Sequence, residues 1–143
     1  MFLALACYQK MKGPMAPLIS VVDDDVSVRK SLDRLIRSVR MEVKVFASAE
    51  EFLNSEQPCE TDCLILDIRL PGMSGIELHR RLLANQCDVP VIFITAHGSD
   101  DQAKAEAASD WTVGYFIKPF SGDDLLDAIN TALKWKANNP GNN

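Results

Sequence analysis

Long apolar runs, histidines and paired cysteines are what this sequence has least of. The longest uninterrupted apolar run at the N-terminus, Met1 to Cys7, is far short of the ~20 residues that span a bilayer. No basic residue precedes it, so neither a membrane span nor a signal peptide is expected. Leu5-Ala6-Cys7 has the outline of a lipoprotein cleavage box, but the apolar stretch ahead of it lacks positive charge and is below the usual ~7 residues. Met11 and Met15 follow closely, so a mis-assigned start codon is the expectation. The 4 cysteines, at 7, 59, 63 and 87, form no C-x-x-C pair, and the 2 histidines, His79 and His97, are not at metal spacing with them. Free thiols in a reducing cytoplasm and two exposed histidines are the expectations, and zinc is not expected. Positive charge is also short: 15 Lys and Arg against 20 Asp and Glu leave a formal charge of -5, which repels a phosphate backbone. Direct nucleic-acid binding is therefore argued against. Internal repeats and low-complexity segments are absent as well.

What is present is 143 residues, 47% hydrophobic and 24% charged, which suits one compact domain and leaves no room for a second. A chain of this length buries roughly 68% of its unfolded surface, so its core needs no metal or disulfide. Residues 1–17 carry Gly13, Pro14 and Pro17 without sustained periodicity and read as a tail before the domain. Residues 136–143 are polar around Pro140-Gly141 and read as a frayed terminus or linker stub.

Between these tails lie apolar runs of strand length: Leu18 to Val22, Val43 to Phe46, Cys63 to Leu66, Val89 to Ile94 and Val113 to Ile117. Several are apolar at consecutive positions, as strands covered on both faces must be. Helical stretches alternate with them. Val28, Leu32, Leu35, Ile36 and Val39 fall on one helical face, as do Leu125, Leu126, Ile129 and Leu133. Capping-box patterns open later helices at Ser48 with Glu51, Ser74 with Glu77, Ser99 with Gln102, and Ser121 with Asp124. This alternation predicts right-handed βαβ units and a parallel sheet, an α/β fold.

In such a sheet ligands meet the carboxyl ends of the strands, where loops and helix N-termini converge. The first run is followed there by Asp23-Asp24-Asp25, the third by Asp67, the fourth by Thr95-Ala96 and the fifth by Lys118-Pro119. Carboxylates gathered in one pocket cannot all stay charged uncompensated, since two at about 4 Å repel by ~4 kcal/mol at an effective dielectric of about 20. Protonation, Lys118 or a divalent cation can compensate them, and hard oxygen donors at a hydrated site favour magnesium. A metal-oriented, ionised Asp67 has the requirements of a nucleophile toward phosphorus, with Thr95 and Lys118 facing the phosphoryl oxygens. Taken singly, Asp23 to Asp25 read equally as helix caps, with Asp25 the capping residue, and Asp67 as a turn acid before Leu70-Pro71-Gly72.

Together the motifs Val21-Val22-Asp23-Asp24-Asp25, Leu66-Asp67-Ile68-Arg69-Leu70-Pro71-Gly72-Met73-Ser74-Gly75, Ile94-Thr95-Ala96 and Lys118-Pro119-Phe120 are specific in order and spacing. On them, residues 18–135 resemble the receiver (CheY-like) domain of bacterial two-component response regulators, and Ile94-Thr95-Ala96-His97-Gly98 looks most like the FixJ-like subfamily. The resemblance implies a doubly wound (βα)5 flavodoxin-like fold, a five-stranded parallel sheet of order 2-1-3-4-5 with helices on both faces. It implies that Asp67 accepts a phosphoryl group from a sensor histidine kinase or phosphotransfer protein. Asp24 would bind Mg2+ directly, Asp23 largely through water, and the Arg69 backbone carbonyl would complete the protein ligands. Thr95 and Lys118 would contact the phosphoryl group, Thr95 and Tyr115 would form the switch, and Lys118-Pro119 would be cis. Arg69 and His97 would tune the lifetime of the acyl phosphate by screening the attacking water.

Trp111 departs from the pattern, standing where many receivers end the fourth helix with glycine, so this turn must be rebuilt and the output face altered. Trp111 and Trp135 read as rim residues and Tyr115 as either switch or core filling. A competing hydrolase reading requires a second acid two residues after the nucleophile, where this chain has Arg69. A pseudo-receiver acting as a protein interaction module is the other alternative. No helix-turn-helix follows residue 135, so the expected output is either a separate partner or a missing C-terminal domain. The expected setting is cytoplasmic, and a homodimer is compatible with this reading.

Overall fold

The computed structural model describes residues 16–96 and 101–139. Cys7, His97 and the expected cap Ser99 lie outside the described residues. Strands β1 (Leu18–Val22), β2 (Glu42–Phe46), β3 (Cys63–Asp67), β4 (Val91–Thr95) and β5 (Thr112–Ile117) form one sheet in the order β2-β1-β3-β4-β5. Every neighbouring pair is parallel. Helices α1 (Val26–Ser38), α2 (Ala49–Leu53), α3 (Gly75–Ala84), α4 (Asp101–Ala107) and α5 (Gly122–Asn138) alternate with the strands, and a 3-10 turn (Pro58–Glu60) precedes β3. The parallel α/β sheet is the one predicted from the alternation of runs, and its doubly wound order is the one the resemblance implied.

Strands β3 and β4 are buried at every position, which is why their sequences show no polar alternation. Successive residues instead feed two separate cores. Val22, Leu64, Leu66, Val91 and Phe93 pack with Phe52, Leu78, Leu82 and Ala107, placing α2, α3 and α4 on one face. Ile19, Val21, Ile65, Ile92 and Ile94 pack with Leu32, Ile36, Leu125 and Ile129, placing α1 and α5 on the other. The fourth strand starts at Val91 rather than Val89, because Pro90 has no N–H for the ladder.

The caps follow the sequence closely. The Ser48, Ser74 and Ser121 hydroxyls accept from the amides of Glu51, Glu77 and Asp124 at 3.1, 3.1 and 3.4 Å. Asp25 caps α1 by accepting from the Ser27 amide at 2.8 Å.

Other expectations are corrected. Val39, expected on the apolar face of α1, is the C-cap of that helix and is exposed. His79 is not exposed: it projects from α3 into the core, 2% exposed, edge-on to Phe93. Cys59 and Cys87 are not free thiols but form a disulfide with Cα atoms 5.3 Å apart. Their sequence separation of 28 hides a contact that exists only once the turn before β3 lies beside the end of α3. Cys63 is a free, buried thiol, and burial raises its pKa. Helix α5 runs past Trp135 to Asn138, and Lys136 donates to the Thr61 carbonyl at 3.0 Å, so residues 136–138 are anchored rather than frayed, while 140–143 lie outside the described residues.

Candidate functional site

Sheet register assembles the site. Val22 pairs with Leu66, so the next residues, Asp23 and Asp67, emerge side by side at the carboxyl ends of β1 and β3. Asp67 pairs with Ile94, placing Thr95 one step beyond it, and Thr95 pairs with Ile117, the residue before Lys118. Residues from four strands thus converge at one end of the sheet, where the loops leave room for a ligand.

Asp23 is fully buried, Asp67 is 4% exposed, Thr95 is buried, and Asp24 is exposed. One carboxylate oxygen from each of Asp23, Asp24 and Asp67 lies within 4.8 Å of the other two. The Lys118 ammonium bridges two of these acids, donating to Asp23 Oδ2 at 2.8 Å and to Asp67 Oδ2 at 3.2 Å. The other oxygen of Asp23 accepts the Asp25 amide at 2.8 Å, and the other oxygen of Asp67 accepts the Arg69 amide at 3.1 Å. Both inner carboxylates are therefore oriented by main chain on one side and by the ammonium on the other.

Burial, joined by the charge of Asp23, pushes the Asp67 carboxyl up to about 6 against the opposing pull of Lys118 and the Arg69 amide. For Lys118 burial acts downward, but the hydrogen bond to Asp23 and the charges of both acids outweigh it and raise the pKa. Three carboxylates face one ammonium, which leaves the pocket short of positive charge. A compact set of hard oxygen donors with one exposed member suits a divalent cation of the magnesium type, so the residues fit such an ion.

Backbone geometry holds the pocket in place. A Cβ at Gly75 would stand 2.1 Å from the Asp67 carbonyl oxygen, so only glycine lets α3 start this close to β3. The Gly75 amide donates to the Ile68 carbonyl at 2.9 Å. The Lys118-Pro119 peptide is cis, the isomer the resemblance implied. Arg69 is exposed and, with Ser74, Gln102 and Glu106, lines a cleft of about 400 Å³ between the β3–α3 loop and α4. Tyr115 is half-buried against the core under α3 and α4, with the Lys104 ammonium 5.5 Å from its ring centre.

Two supports were not read from the sequence. Arg29, one turn into α1, donates to the Asp23 carbonyl at 2.8 Å. Glu50, in the first turn of α2, accepts the Met73 amide at 2.9 Å and lies against Gly72, whose φ is +78°. Arg29 had a readable signal, since its position one turn into the helix lets it reach back over the N-terminus. Glu50 had none, because only the fold brings it to Met73, 23 residues away.

The turn carrying Trp111 is rebuilt without a left-handed residue at that position. The Ser109 hydroxyl accepts the Trp111 amide at 3.1 Å, and Thr112 Oγ1 donates to the Ala107 carbonyl at 2.6 Å, closing the end of α4. Trp111 then packs on Trp135 of α5, ring centres 4.4 Å apart.

The family model described as response regulator receiver domain matches residues 19–130. Nodulation protein W of Bradyrhizobium diazoefficiens is 44% identical over 117 residues, covering 82% of this chain and 51% of that protein. Transcriptional regulatory protein TdiR of Thauera aromatica is 38% identical over 125 residues, covering 87% of this chain and 55% of that protein. The chain thus spans about half the length of the curated relatives it matches. Among solved structures, the response regulator StyR superposes with a TM-score of 0.76 at 42% identity, over 87% of this chain and 63% of that one. The structure titled FixJ-N gives a TM-score of 0.73 at 34% identity, over 82% of this chain and 94% of that one.

Proposed function

Because the chain belongs to the response regulator receiver domain family, we propose that residues 18–135 are a phosphoacceptor receiver with Asp67 as the acceptor. The observation that carries this reading is the gathering of Asp23, Asp24 and Asp67 within 4.8 Å, with the Lys118 ammonium 3.2 Å from Asp67 Oδ2. Asp23, Asp24, Asp67 and the backbone carbonyl of Arg69 would hold Mg2+. When bound, the ion supplies charge neutralisation for phosphoryl oxygens.

The remaining work falls to the chain's own residues. Lys118 keeps Asp67 ionised against a burial that favours the neutral acid. A carboxylate oxygen of Asp67 bonds to phosphorus as the phosphorus–nitrogen bond of a phosphohistidine donor breaks, and the departing imidazole takes a proton from solvent. The Arg69 amide and Lys118 hold that carboxylate in one orientation. The Thr95 hydroxyl and the Lys118 ammonium then receive the transferred oxygens. Thr95 moving toward the phosphoryl group lets Tyr115 turn inward, which changes the surface around β5 that a partner reads.

A sensor histidine kinase or phosphotransfer protein is the proposed donor, in the cytoplasm. Among the described residues no helix is long and apolar enough to cross a membrane. Relatives bearing the names transcriptional regulatory protein TdiR and FixJ are about twice the matched length, so the proposed output is a transcriptional domain or a separate partner rather than DNA contact by this domain.

The test is intact-protein mass after incubation with a small acyl-phosphate donor, with magnesium and with a chelator. One phosphoryl group is expected with magnesium only, labile to base and hydroxylamine and absent in Asp67→Asn. No uptake from that donor or from a histidine kinase would leave a pseudo-receiver that acts as an interaction module.

A further inference from the structure

The disulfide lies outside the acidic pocket, and nothing in phosphoryl transfer uses it. Cys59 sits exposed in the 3-10 turn before β3, whereas Cys87, just after α3, is 2% exposed. Their Cα separation of 5.3 Å falls inside the roughly 4.4–6.8 Å range that a disulfide bridges without backbone movement. Cys63 is near in sequence but fully buried on the strand, with its thiol held protonated by that burial, so it cannot compete as a partner. One thiol open to solvent and one resolving thiol behind it define the pair.

Its position links two parts of the fold. The covalent loop from Cys59 to Cys87 encloses β3, Asp67, the β3–α3 loop and the whole of α3. At its first residue α3 rests on the Asp67 carbonyl through Gly75, and at its far end it is held by the disulfide. The turn that carries Cys59 leads into Thr61, whose hydroxyl lies 2.6 Å from Ser20 Oγ and whose carbonyl accepts Lys136 of α5 at 3.0 Å. The bridge therefore fastens the helix behind the acceptor strand to a segment anchored on β1 and α5.

In a reducing compartment a protein disulfide is characteristically transient and redox-sensing rather than permanent. Resting on the cytoplasmic receiver reading above, we propose that Cys59 and Cys87 are a reversible thiol–disulfide exchange site for low-molecular-weight disulfides, whose oxidation clamps the end of α3. The Cys59 thiolate attacks a small disulfide, forming a mixed disulfide and releasing one small thiol. The Cys87 thiol then loses its proton and attacks the Cys59 sulfur, closing the bridge and expelling the second small thiol. Two protein thiols are oxidised, one small disulfide is reduced to two thiols, and the reverse sequence reopens the bridge.

The experiment equilibrates the purified full chain in mixtures of reduced and oxidised glutathione, quenches with acid, denatures, alkylates, and reads intact mass and a peptide map. Reduced chain offers all 4 cysteines to alkylation; the oxidised chain should lose two, yield a Cys59–Cys87 linked peptide and recover on return to reduced glutathione. Neither Cys59→Ser nor Cys87→Ser, each checked for folding by circular dichroism, should yield the linked peptide: Cys59→Ser should keep its remaining thiols open to alkylation, whereas Cys87→Ser should stop at the glutathione mixed disulfide on Cys59 and lose one site. Backbone exchange of the Asn85 and Cys87 amides should be about threefold or more faster in the reduced form. The proposal is overturned by a bridge through Cys7 or Cys63, by failure to link in oxidised glutathione, by a bridge that survives reduced glutathione, or by equal amide exchange in both forms. Phosphoryl uptake measured on the same samples separates the two readings: uptake without reversible linkage removes only the redox site, and reversible linkage without uptake removes only the receiver function.

Discussion

His79 Nε2 lies 2.7 Å from Ser109 Oγ, a partly buried hydrogen bond between α3 and the turn that joins α4 to β5. Ser109 Oγ also stands 3.1 Å from Thr112 Oγ1 and accepts the Trp111 amide at 3.1 Å. A single imidazole from the neighbouring helix thus braces the turn in which tryptophan replaces the usual glycine. Burial holds its pKa down at about 4, so the ring is neutral at physiological pH.

That neutrality predicts a pH dependence. The folded pKa of His79 lies below its ordinary 6.5, so its contribution is present above pH 6.5 and is lost as pH falls toward about 4. At pH 5 the loss amounts to about 2 kcal/mol. Asp67, with a folded pKa raised above 3.8, has the opposite sign: its contribution is present at low pH and is lost as pH rises through about 6. Urea unfolding at pH 7.5 and pH 5 should therefore show His79→Gln losing about 2 kcal/mol less than the parent chain over that interval. An equal loss in both would remove the buried neutral histidine.

Two glycines at helix starts should differ in their tolerance of alanine. At Gly75 the new Cβ meets the Asp67 carbonyl oxygen at 2.1 Å, a main-chain contact that cannot rotate away. At Gly122 it meets only the end of the Leu35 side chain, at 3.3 Å. Gly75→Ala should cost about 2 kcal/mol or more in urea unfolding, whereas Gly122→Ala should fall within about 1 kcal/mol of the parent because helix propensity offsets the crowding.

The difference between what was legible and what was not follows the range of the forces involved. Apolar runs and serine caps are local, so the strands and the helix starts at Ser48, Ser74 and Ser121 could be read directly. Asp23, Asp67 and Lys118 are distant in sequence, yet each follows a recognisable strand, and a parallel sheet aligns strand ends. The Cys59–Cys87 pairing, the burial of His79 and the reach of Glu50 to Met73 depend on how helices sit on the sheet, which no local pattern encodes. The expectation of an exposed His79 failed because α3 turns this position toward Phe93.

Glu50 ties α2 to the loop after Asp67. The hydrogen bond from the Met73 amide, first, holds the Glu50 carboxyl below the usual carboxylate range. Glu50→Ala removes the acceptor, and hydrogen exchange at the Met73 amide should accelerate about tenfold or more, while exchange in the core of α3 stays unchanged. Glu50→Gln keeps an acceptor oxygen and should restore most of the protection. Unchanged exchange in Glu50→Ala would show that the loop holds its shape without this contact.

Lys118 separates an electrostatic role from a packing role. Its ammonium is the positive charge hydrogen-bonded to both Asp23, fully buried, and Asp67, nearly so. Lys118→Met keeps most of the side-chain volume but leaves those carboxylates facing each other, and breaking a buried pair from one side costs about 3–5 kcal/mol. With chelator at pH 7.5 the variant should therefore unfold at markedly lower urea. Added magnesium should recover more stability in the variant than in the parent, because the cation meets a larger surplus of negative charge. If magnesium stabilises both equally, the acids do not share the charge that Lys118 supplies; if it stabilises neither, they do not hold the ion, and the three carboxylates meet only as neighbours at the end of the sheet.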